Sequence, residues 1–419
     1  MKYVAEIRDP IHGYIKINEA EREIIDSPYI QRLRYIRQLA GAYLVYPGAT
    51  HTRFEHVLGT MYVAGAISDR LFQLNEIDMD VAYELRLSAL LHDVGHGPFS
   101  HMFDELLAEK NLSHEDISHE LIRRTELADI LSRNGFSPKK ISALAVGRYN
   151  TKKYFLNEVI SGSLCADIMD YVLRDSYFTG VEYGKVDIHR VIDSLCVTDN
   201  RLALDRAALY AFEALLIARY EMFKAVYFHR TVRAAQLMLI RAMQMADGAL
   251  HLTDRWHDSS FLELTDENVL RELYSLDESK YEVVKKFVYN FKNRRLLKCA
   301  YEAFLQLHER RKIKNLVVKQ KRKMEEDIAR MAGVDEGQIY LDVPVAPSIP
   351  YTAQKELFEV LILFDQEEKS YERVPVEKLT LAGAIRGHMN IIRVYTTEES
   401  RKVVRNALKG KALEEIMHI

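Results

Sequence analysis

The sequence has few cysteines, no long apolar run and no large excess of one charge. Its 419 residues include three cysteines, Cys165, Cys196 and Cys299, which are widely spaced and odd in number. This pattern fits a reducing compartment better than a disulfide framework. No apolar run approaches the ~20 residues that span a bilayer, and the polar, alternating start of the chain is unlike a signal peptide. We therefore expect a cytoplasmic protein with no membrane partner.

The charges are nearly balanced, with 58 Lys and Arg against 61 Asp and Glu, and a net charge of −3. A balanced chain has no bulk attraction to nucleic acid, so nucleic acid is not predicted as a main partner. One local exception is the run at 310–323, which holds eight basic side chains. We interpret this run as a solvated helix face, with anion binding as the alternative.

Helical periodicity dominates the chain and predicts a mainly α fold. The opening stretch "AEIRDPIHGYIKIN" is predicted to form a β-hairpin with Pro10 and Gly13 at its turn. The strand-like runs "LFEVLILFD" and "IIRVYTT" predict a small C-terminal α+β subdomain after the multi-helix core. The predicted division is 1–48 for the hairpin and first helix, 49–330 for the helical core with its extension, and 331–419 for the subdomain. Helices of the core are expected at 52–74, 80–91, 114–133, 137–147, 156–178, 187–195, 205–247 and 266–331.

Histidine is concentrated in the first part of the chain, where eight of the 15 histidines precede residue 120. His56 lies near the start of one predicted helix, and His92 and Asp93 close the next one. Imidazole and carboxylate together suit a first-row divalent metal. On a later helix Asp167, Tyr171 and Asp175 follow an i, i+4, i+8 pattern and share a face. That face is long enough for a metal at one end and a phosphate followed by a sugar.

His56, His92-Asp93 and Asp167, in this order, resemble the signature of the HD-domain metal phosphohydrolases. "DPIHG", "QRLRYIRQL", "HTRFEHVLG", "HDVGHGPFSHMFD" and "IRVY" are similar to one branch, the deoxynucleoside triphosphate (dNTP) triphosphohydrolases, which includes vertebrate SAM-and-HD-domain enzymes and bacterial dGTP triphosphohydrolases. The resemblance covers about residues 7–405, and we expect the bare HD unit without a SAM domain before it. It implies an HD-domain fold and hydrolysis of a dNTP to a deoxynucleoside and inorganic triphosphate.

The resemblance also implies the roles of the clustered residues. His56, His92, Asp93 and Asp167 would hold one divalent ion, with Mn, Fe, Co, Ni and Zn left open, and Mg would accompany the substrate phosphates. His101 would be the general acid, with Asp104 holding its ring, while His96 and His114 would surround the α-phosphate and the attacking water. In the segment between Asp93 and His101, Gly95 and Gly97 would allow close backbone approach, and Pro98 would end the preceding helix.

A further set of residues matches the substrate-binding positions of the branch. Arginine suits the phosphates because its fork binds their oxygens bidentately. Tyr171 would lie under the ribose and leave no room for a 2′-hydroxyl, so deoxynucleotides are the expected substrates. The implied substrate contacts are Gln38, Leu39, Arg53, Tyr171, Asp175, Arg219, Tyr227 and His229.

Regulation is implied by the same resemblance. Nucleotides such as GTP or a dNTP would act as effectors between the subunits of a homo-oligomer, either a dimer or a tetramer. Asp26, Gln31 and Arg34 match positions that read a guanine nucleotide, and Arg294 and Lys298 match phosphate contacts. Ala5 departs from the pattern, because it stands where the vertebrate relative has a phosphate-binding lysine.

Two alternatives remain open at the level of sequence. Another HD phosphohydrolase activity, on nucleoside monophosphates, cyclic nucleotides or guanosine tetraphosphate, would keep the metal ligands. It would lack the "HGPFSH" acid and the Arg219 helix. A non-catalytic nucleotide sensor or nucleic-acid binder would be expected to lose a metal ligand, and none is lost here.

Overall fold

The fold is mainly helical, as predicted. The computed structural model describes residues 3–304, 310–343, 360–365, 370–375 and 391–409, and the side chains of 304–320 and 360–361 lie outside the description. Most of the basic run at 310–323 and the start of "LFEVLILFD" therefore fall outside the described side chains. None of the described helices is long and apolar enough to cross a membrane.

The helices and strands are numbered in chain order. The helices are α1 Glu19–Asp26, α2 Pro28–Gln31, α3 Arg53–Gln73, α4 Met79–Leu91, α5 His101–Leu107, α6 His114–Arg124, α7 Glu126–Arg133, α8 Pro138–Ala145, α9 Phe155–Ile160, α10 Ala166–Thr179, α11 Ile188–Asp193, α12 Leu209–Met222, α13 Arg230–Leu250, α14 Asp266–Ser275, α15 Glu278–Lys292, α16 Arg310–Ala332 and α17 Arg401–Leu408. The strands are β1 Ala5–Asp9, β2 Gly13–Ile17, β3 Leu195–Thr198, β4 Arg201–Asp205, β5 Lys298–Phe304, β6 Tyr340–Asp342, β7 Val360–Asp365, β8 Ser370–Pro375 and β9 Ile391–Thr396.

The predicted N-terminal hairpin is confirmed. β1 and β2 pair antiparallel from Ala5 opposite Ile17 to Asp9 opposite Gly13. Gly13 has φ +77°, a backbone conformation that glycine adopts at no steric cost. Ser27 then caps α2, and Pro28 takes the first helical position, where proline is favoured because its missing N–H would be unpaired anyway.

Helix α3 lies at the centre of the fold because it contributes to two hydrophobic clusters. Phe54 and Met61, in its first half, pack in a cluster that includes residues of α4, α5 and α13. Val63 and Leu71, in its second half, pack with residues of α9, α10 and α12. This position brings the start of α3, where His56 lies, between the elements that carry the other candidate ligands.

The helical predictions for 114–133, 156–178, 205–247 and 266–331 are wrong in part, because each range is divided. The first two ranges each hold two helices, α6 with α7 and α9 with α10. Asp205 ends β4, a π-helical turn at Phe223–Tyr227 separates α12 from α13, and β5 interrupts 266–331. Asp199 and Asn200 both have positive φ, which matches a tight hairpin turn between β3 and β4. At β5, pairing with β9 outweighs the helical pattern of the sequence.

Two sheets join strands from distant parts of the chain. One has the order β3-β4-β7-β8, and the other has the order β5-β9-β6. Each combines strands from both sides of residue 331, because β4 pairs with β7 and β5 pairs with β9. The C-terminal strands thus complete sheets that begin before residue 331. The division into 49–330 and 331–419 stays a prediction.

The hairpin region is anchored by a buried ion pair, which generates a stability prediction. Glu21 is fully buried and accepts a 3.0 Å hydrogen bond from Arg86 Nη2 as well as one from the Asn18 backbone N–H. Glu21→Gln leaves the Arg86 charge buried without its counter-ion, so we expect a loss of about 3 kcal/mol of unfolding free energy in denaturant titrations. The exposed pair Glu19–Arg22 provides the control, and Glu19→Gln should leave the midpoint nearly unchanged. Equal effects of the two substitutions would contradict the anchoring role.

Candidate metal and acid–base site

Three residues predicted as metal ligands meet around one point, and the fourth lies beside them. Donor atoms of His56, His92 and Asp93 lie within 4.8 Å of one another. Asp167 Oδ1 lies 3.1 Å from His56 Nε2 and 3.7 Å from His92 Nε2. α3 supplies His56, the end of α4 supplies His92 and Asp93, and the first turn of α10 supplies Asp167. The Asp167 side chain is 34% exposed, so this corner is reachable from solvent.

The hydrogen bonds of the two histidines fit metal ligation. His92 Nδ1 lies 2.7 Å from the carbonyl oxygen of Ala89, so Nδ1 carries the proton and Nε2 has a free lone pair. His92 Nε2 is buried with no hydrogen-bond partner among the described residues, although Asp93 Oδ1 is 3.3 Å away. A buried nitrogen lone pair facing two carboxylates is the donor set that a divalent transition metal prefers. The residues therefore fit such an ion.

The electrostatics of the cluster favour a cation. Burial opposes the charged form of His56, but hydrogen bonds to Asp167 and Asp170 outweigh it and raise its pKa to about 10. Burial likewise opposes ionisation of Asp93, but the Arg53 charge and the adjacent His92 and His96 side chains outweigh burial and hold the Asp93 pKa well below the usual range. The carboxylates thus stay ionised and stabilise positive charge at His56 Nε2, which is where a metal ion would lie.

A second cluster contains the predicted acid–base residues. Asp104 Oδ2 lies 3.0 Å from His101 Nδ1 and 2.9 Å from His114 Nδ1, so one carboxylate oxygen is shared by two imidazoles. The His96 and His114 rings stack with centroids 3.7 Å apart. The His101 side chain is 66% exposed, whereas His114 is largely buried and is not a surface histidine. The structure therefore places all four residues together.

The charges within this cluster differ from one histidine to the next. Burial disfavours an imidazolium at His114, but the Asp104 carboxylate outweighs burial and raises the His114 pKa to about 9. Burial and the positive charges of Arg53 and His114 hold the pKa of His96 well below its usual value. One ring is thus cationic and its stacked neighbour is neutral at neutral pH. Asp93 Oδ1 lies 3.4 Å from His96 Nε2 and connects this cluster with the metal cluster.

The segment between the clusters needs its glycines. A Cβ on Gly95 would lie 2.4 Å from the His114 carbonyl oxygen, and one on Gly97 would lie 2.2 Å from the Phe103 ring. Close approach is therefore confirmed. The predicted role of Pro98 is wrong, because α4 already ends at Leu91, seven residues earlier.

A strained turn precedes the helix of His101. Phe99 and Ser100 both have positive φ, at 60° and 57°, which costs non-glycine residues free energy. The Phe99 N–H donates to Asp266 Oδ1 at 2.7 Å, and Ser100 Oγ donates to the Arg37 carbonyl at 2.7 Å. Asp266, on α14, thus holds the turn from outside the HD segment. Its burial raises its pKa to about 6.

Two arginines predicted to bind phosphate lie beside the clusters. Arg53 forms an ion pair with Asp93 and donates from Nε to Ser100 Oγ at 2.8 Å. Arg219 donates from Nε to the Tyr171 hydroxyl at 2.6 Å. Arg53 Nη2 and Arg219 Nη1 are buried with no hydrogen-bond partner in the described part of the chain. Each arginine therefore keeps N–H groups that can serve an anion.

The predicted sugar end of α10 is held by two side chains from other segments. Asp175 Oδ1 lies 2.7 Å from His51 Nε2, and Asp175 Oδ2 accepts a 2.6 Å bond from the Tyr227 hydroxyl. The Gln38 N–H donates to the His51 carbonyl at 3.0 Å, while Gln38 Oε1 is buried and unpaired among the described residues. Leu39, the next residue, is half-buried and packs against a small apolar cluster.

His229 is placed differently from the prediction. It does not continue one long helix after Arg219 and Tyr227, because the π-helical turn intervenes and His229 is the N-cap of α13. Its Nδ1 accepts from the Thr231 N–H at 3.3 Å, and its ring meets Tyr46 edge-on at 6.0 Å. No described hydrogen bond or ring contact joins it to the two clusters.

The predicted effector residues fall into two groups. Arg34 donates from Nε to Gln31 Oε1 at 2.8 Å and lies 3.5 Å above the Phe54 ring, while Asp26 is exposed at the end of α1. Arg294 and Lys298 line a cavity of about 230 Å³. Arg230 and Arg401 line it too, so four cations surround this cavity.

Comparisons with known proteins identify the family. The HD domain model matches residues 53–175, and the HD associated region model matches residues 186–414, more than half of the chain. The chain belongs to the HD-domain phosphohydrolase family. It is 40% identical over 57% of its length to an uncharacterized protein of Methanocaldococcus jannaschii, covering 49% of that protein. It is 31% identical over 68% of its length to human deoxynucleoside triphosphate triphosphohydrolase SAMHD1, covering 53% of it.

The fold of this HD-domain chain is shared with a solved structure. A hypothetical protein from Aquifex aeolicus superposes with a TM-score of 0.78 at 28% identity, covering 97% of this chain and 100% of that one. The chain spans about half the length of the two curated relatives named above. The resemblance to HD-domain phosphohydrolases that the sequence motifs indicate is therefore confirmed. The likeness to the dNTP triphosphohydrolase branch is confirmed as well.

Several residues of the HD-domain site were missed by the sequence analysis. His51 contacts the predicted residue Asp175, and Asp266 holds the turn that precedes His101 through the Phe99 N–H. Asp170 contacts His12, His56 and Arg174. The signal for Asp170 and Arg174 was available, because they follow Asp167 and Tyr171 by three residues on the same helix. No local pattern points to Asp266, which is distant in sequence and reaches the turn only through the tertiary fold.

The metal cluster generates a prediction about metal content. We expect the purified protein to hold about one divalent transition-metal ion, and His92→Ala or Asp93→Ala to lower this severalfold, because each removes a donor from the His2Asp2 set. Metal content is measured by inductively coupled plasma mass spectrometry after gel filtration. The control is His119→Ala, which changes a histidine outside both clusters. Unchanged metal content in the two ligand variants would exclude this site.

The His114–Asp104 pair generates a prediction about pH. The pKa of His114 is raised to about 9 in the folded protein, against about 6.5 when unfolded. Only the folded state therefore holds this proton between those values, and its stabilisation is complete below pH 6.5 and lost as the pH rises through 9. We expect the unfolding free energy of the wild type to fall between pH 6.5 and 9.5. In His114→Gln this fall should be smaller by roughly 1–3 kcal/mol.

This pH experiment uses urea titrations in metal-free buffer. The exposed His189 on α11 provides the control, and His189→Gln should reproduce the wild-type pH profile. A wild-type profile in His114→Gln would show that Asp104 does not retain the proton on His114.

Proposed function

We propose that the protein hydrolyses deoxynucleoside triphosphates to a deoxynucleoside and inorganic triphosphate. The observation that carries this proposal is the junction of the two clusters, where Asp93 Oδ1 lies 3.4 Å from His96 Nε2. A cation site and a proton-donating site thus adjoin, which is the pair of functions that cleavage of a phosphate ester needs. The human relative SAMHD1 is named for the same reaction, which supports the proposal.

Phosphate binding is assigned to the two arginines and the candidate ligands. Arg53 and Arg219 offer unpaired, buried N–H groups to phosphate oxygens. His56, His92, Asp93 and Asp167 would hold the divalent ion, and Mg²⁺ would accompany the outer phosphates. When bound, the divalent ion supplies Lewis acidity, lowering the pKa of water and polarising the α-phosphate. Because Arg53 also pairs with Asp93, phosphate binding and ligand position are coupled through one side chain.

Proton transfer is assigned to the second cluster. The leaving 5′ oxygen of the sugar is a poor leaving group and needs a proton. His101 is exposed enough to reach it, and its Nδ1 faces Asp104, so Nε2 is the atom that donates. The Asp104 carboxylate also contacts the neighbouring His114, whose pKa it raises, while neutral His96 faces Asp93. We assign His96 and His114 to the α-phosphate and the attacking water.

Selection against ribonucleotides is assigned to α10. The Tyr171 hydroxyl oxygen accepts from Arg219, and the two Asp175 oxygens contact His51 and Tyr227, so both side chains are held in place. A Tyr171 ring held under the ribose leaves no room for a 2′-hydroxyl, and that exclusion discriminates between sugars. Gln38 Oε1 is unpaired among the described residues, and it is suited to accept from a 3′-hydroxyl. Leu39 closes the apolar edge, and Tyr227 acts here through Asp175.

Regulation by a nucleotide is assigned to two further groups of residues. The four cations around the cavity at Arg294 and Lys298 suit a triphosphate. Asp26, Gln31 and Arg34 would read the guanine of GTP, which requires Arg34 to exchange its contact with Gln31. We place both sites in a cytoplasmic homo-oligomer, a dimer or tetramer.

Product analysis tests the proposed reaction. The protein is incubated with each dNTP and NTP and with Mn²⁺ or Mg²⁺, with and without GTP or dGTP, and products are separated by ion-exchange chromatography. We expect triphosphate and deoxynucleoside in equal amounts from dNTPs, and rates about 10²–10⁴-fold lower in His101→Ala because the general acid is lost. His119→Ala is the matched control and should turn over at the wild-type rate.

Other outcomes would contradict the proposal in distinct ways. Pyrophosphate or orthophosphate as the product would mean that another bond is cleaved. Binding of dNTPs without any turnover would favour a nucleotide sensor. Equal turnover of NTPs and dNTPs would remove the assigned role of Tyr171 and Asp175.

A further inference from the structure

A buried carboxylate lies behind the candidate metal ligand His56. Asp170, on α10, is fully buried, and its Oδ2 lies 2.8 Å from His56 Nδ1. Its Oδ1 lies 2.7 Å from His12 Nε2 in the hairpin turn. Arg174 donates to both oxygens, from Nε and Nη2, at 2.9 Å each. One carboxylate thus joins the hairpin, α3 and α10 at a single point.

We propose that Asp170 is a positioning residue for the metal site and that His12 positions Asp170, so the N-terminal hairpin sets metal affinity. The proposal rests on the metal site of the proposed function but not on the identity of the substrate. It deepens that function by adding two residues that touch neither the metal nor the substrate.

The hydrogen bonds determine which His56 nitrogen faces the metal. A carboxylate that accepts two guanidinium bonds is ionised and can only accept, so His56 Nδ1 and His12 Nε2 are both N–H donors. With Nδ1 committed to Asp170, Nε2 is the nitrogen left to ligate a metal ion, and it faces Asp167 and Asp93. A partner on the far nitrogen is what fixes the tautomer and ring angle of a ligating histidine.

The hairpin turn is built to present His12 at this position. Asp9 Oδ1 accepts from the Ile11 and His12 N–H groups at 2.9 and 2.8 Å, which shapes the turn. Asp9 Oδ2 accepts from Arg174 Nη1 at 2.8 Å, so the turn and α10 hold each other. The His12 ring stacks on Tyr62 of α3 at 4.8 Å.

Asp170 also packs closely against the backbone of α3. A Cβ on Gly59 of α3 would lie 1.9 Å from Asp170 Oδ1 and 2.3 Å from Arg174 Nη2. Only glycine at this position lets the Asp170 carboxylate and its Arg174 partner lie this close to α3, the helix that carries His56.

Metal affinity, measured without substrate, tests the proposal. Mn²⁺ or Co²⁺ is titrated into the metal-free full-length protein by isothermal titration calorimetry, and the visible spectrum of bound Co²⁺ reports ligand geometry. Asp170→Asn places an amide against His56 Nδ1, so we expect about 10–100-fold weaker binding and a changed Co²⁺ spectrum. His12→Phe keeps the ring stack but loses the donor, and we expect about tenfold weaker binding. His12→Gln restores a donor and should recover most of the affinity.

A matched variant separates positioning from stability. Buried Glu158 forms another ion pair, with the partly buried Arg201, between α9 and β4 and outside the metal cluster. Glu158→Gln should destabilise the fold and leave metal affinity and the Co²⁺ spectrum unchanged. If Asp170→Asn does not fold, the His12→Phe and His12→Gln pair decides the question.

The outcomes distinguish this inference from the proposed function. Wild-type metal affinity in folded His12→Phe and Asp170→Asn would overturn the positioning role while leaving the metal site intact. Failure of wild type itself to bind Mn²⁺ or Co²⁺ would overturn the metal site and this inference with it. Weaker binding in both variants, with recovery in His12→Gln, would establish the positioning role even if the substrate is not a dNTP.

Discussion

The ion pair between Arg53 and Asp93 is the interaction on which the site depends. Both side chains are buried, and a buried carboxylate is stable only when it is paired. The same guanidinium donates to Ser100, so it ties the start of α3 to the residue just before α5. Through this one group, the candidate ligands and the acid–base histidines are held at fixed separation, which chemistry at two adjoining centres requires.

Three buried or half-buried carboxylates repeat a common arrangement around this pair. Asp104 joins His101 to His114, Asp170 joins His12 to His56, and Asp175 joins His51 to Tyr227. In each case one acid fixes two side chains from different segments. The histidine content of the first third of the chain is therefore explained by pairs, each held by one carboxylate, more than by metal ligation alone. Satisfied polar networks of this kind also rigidify the elements that carry them.

Sequence reasoning succeeded where local pattern decides structure. The hairpin follows from its turn residues and α3 from its apolar spacing, and the grouping of His56, His92, Asp93 and Asp167 followed from spacing and resemblance. Sequence reasoning failed where distant strands decide. "KCAYEAF" lies in a range predicted as helix but becomes β5, because β9 pairs with it. Asp266 was missed for the same reason, since its role exists only once α14 packs against the Phe99 turn.

The π-helical turn at Phe223–Tyr227 has a consequence for comparing relatives. A π turn accommodates one more residue than an α turn, and one residue corresponds to about 100° of rotation around a helix axis. Tyr227 reaches Asp175 from within this turn. In a relative with one residue fewer in this turn, the position of Tyr227 would be rotated by about 100° around the axis of α12 and would face away from Asp175. Transfer of the Tyr227 role therefore depends on the π turn being kept, whereas His229 lies beyond the end of this helix, at the N-cap of α13.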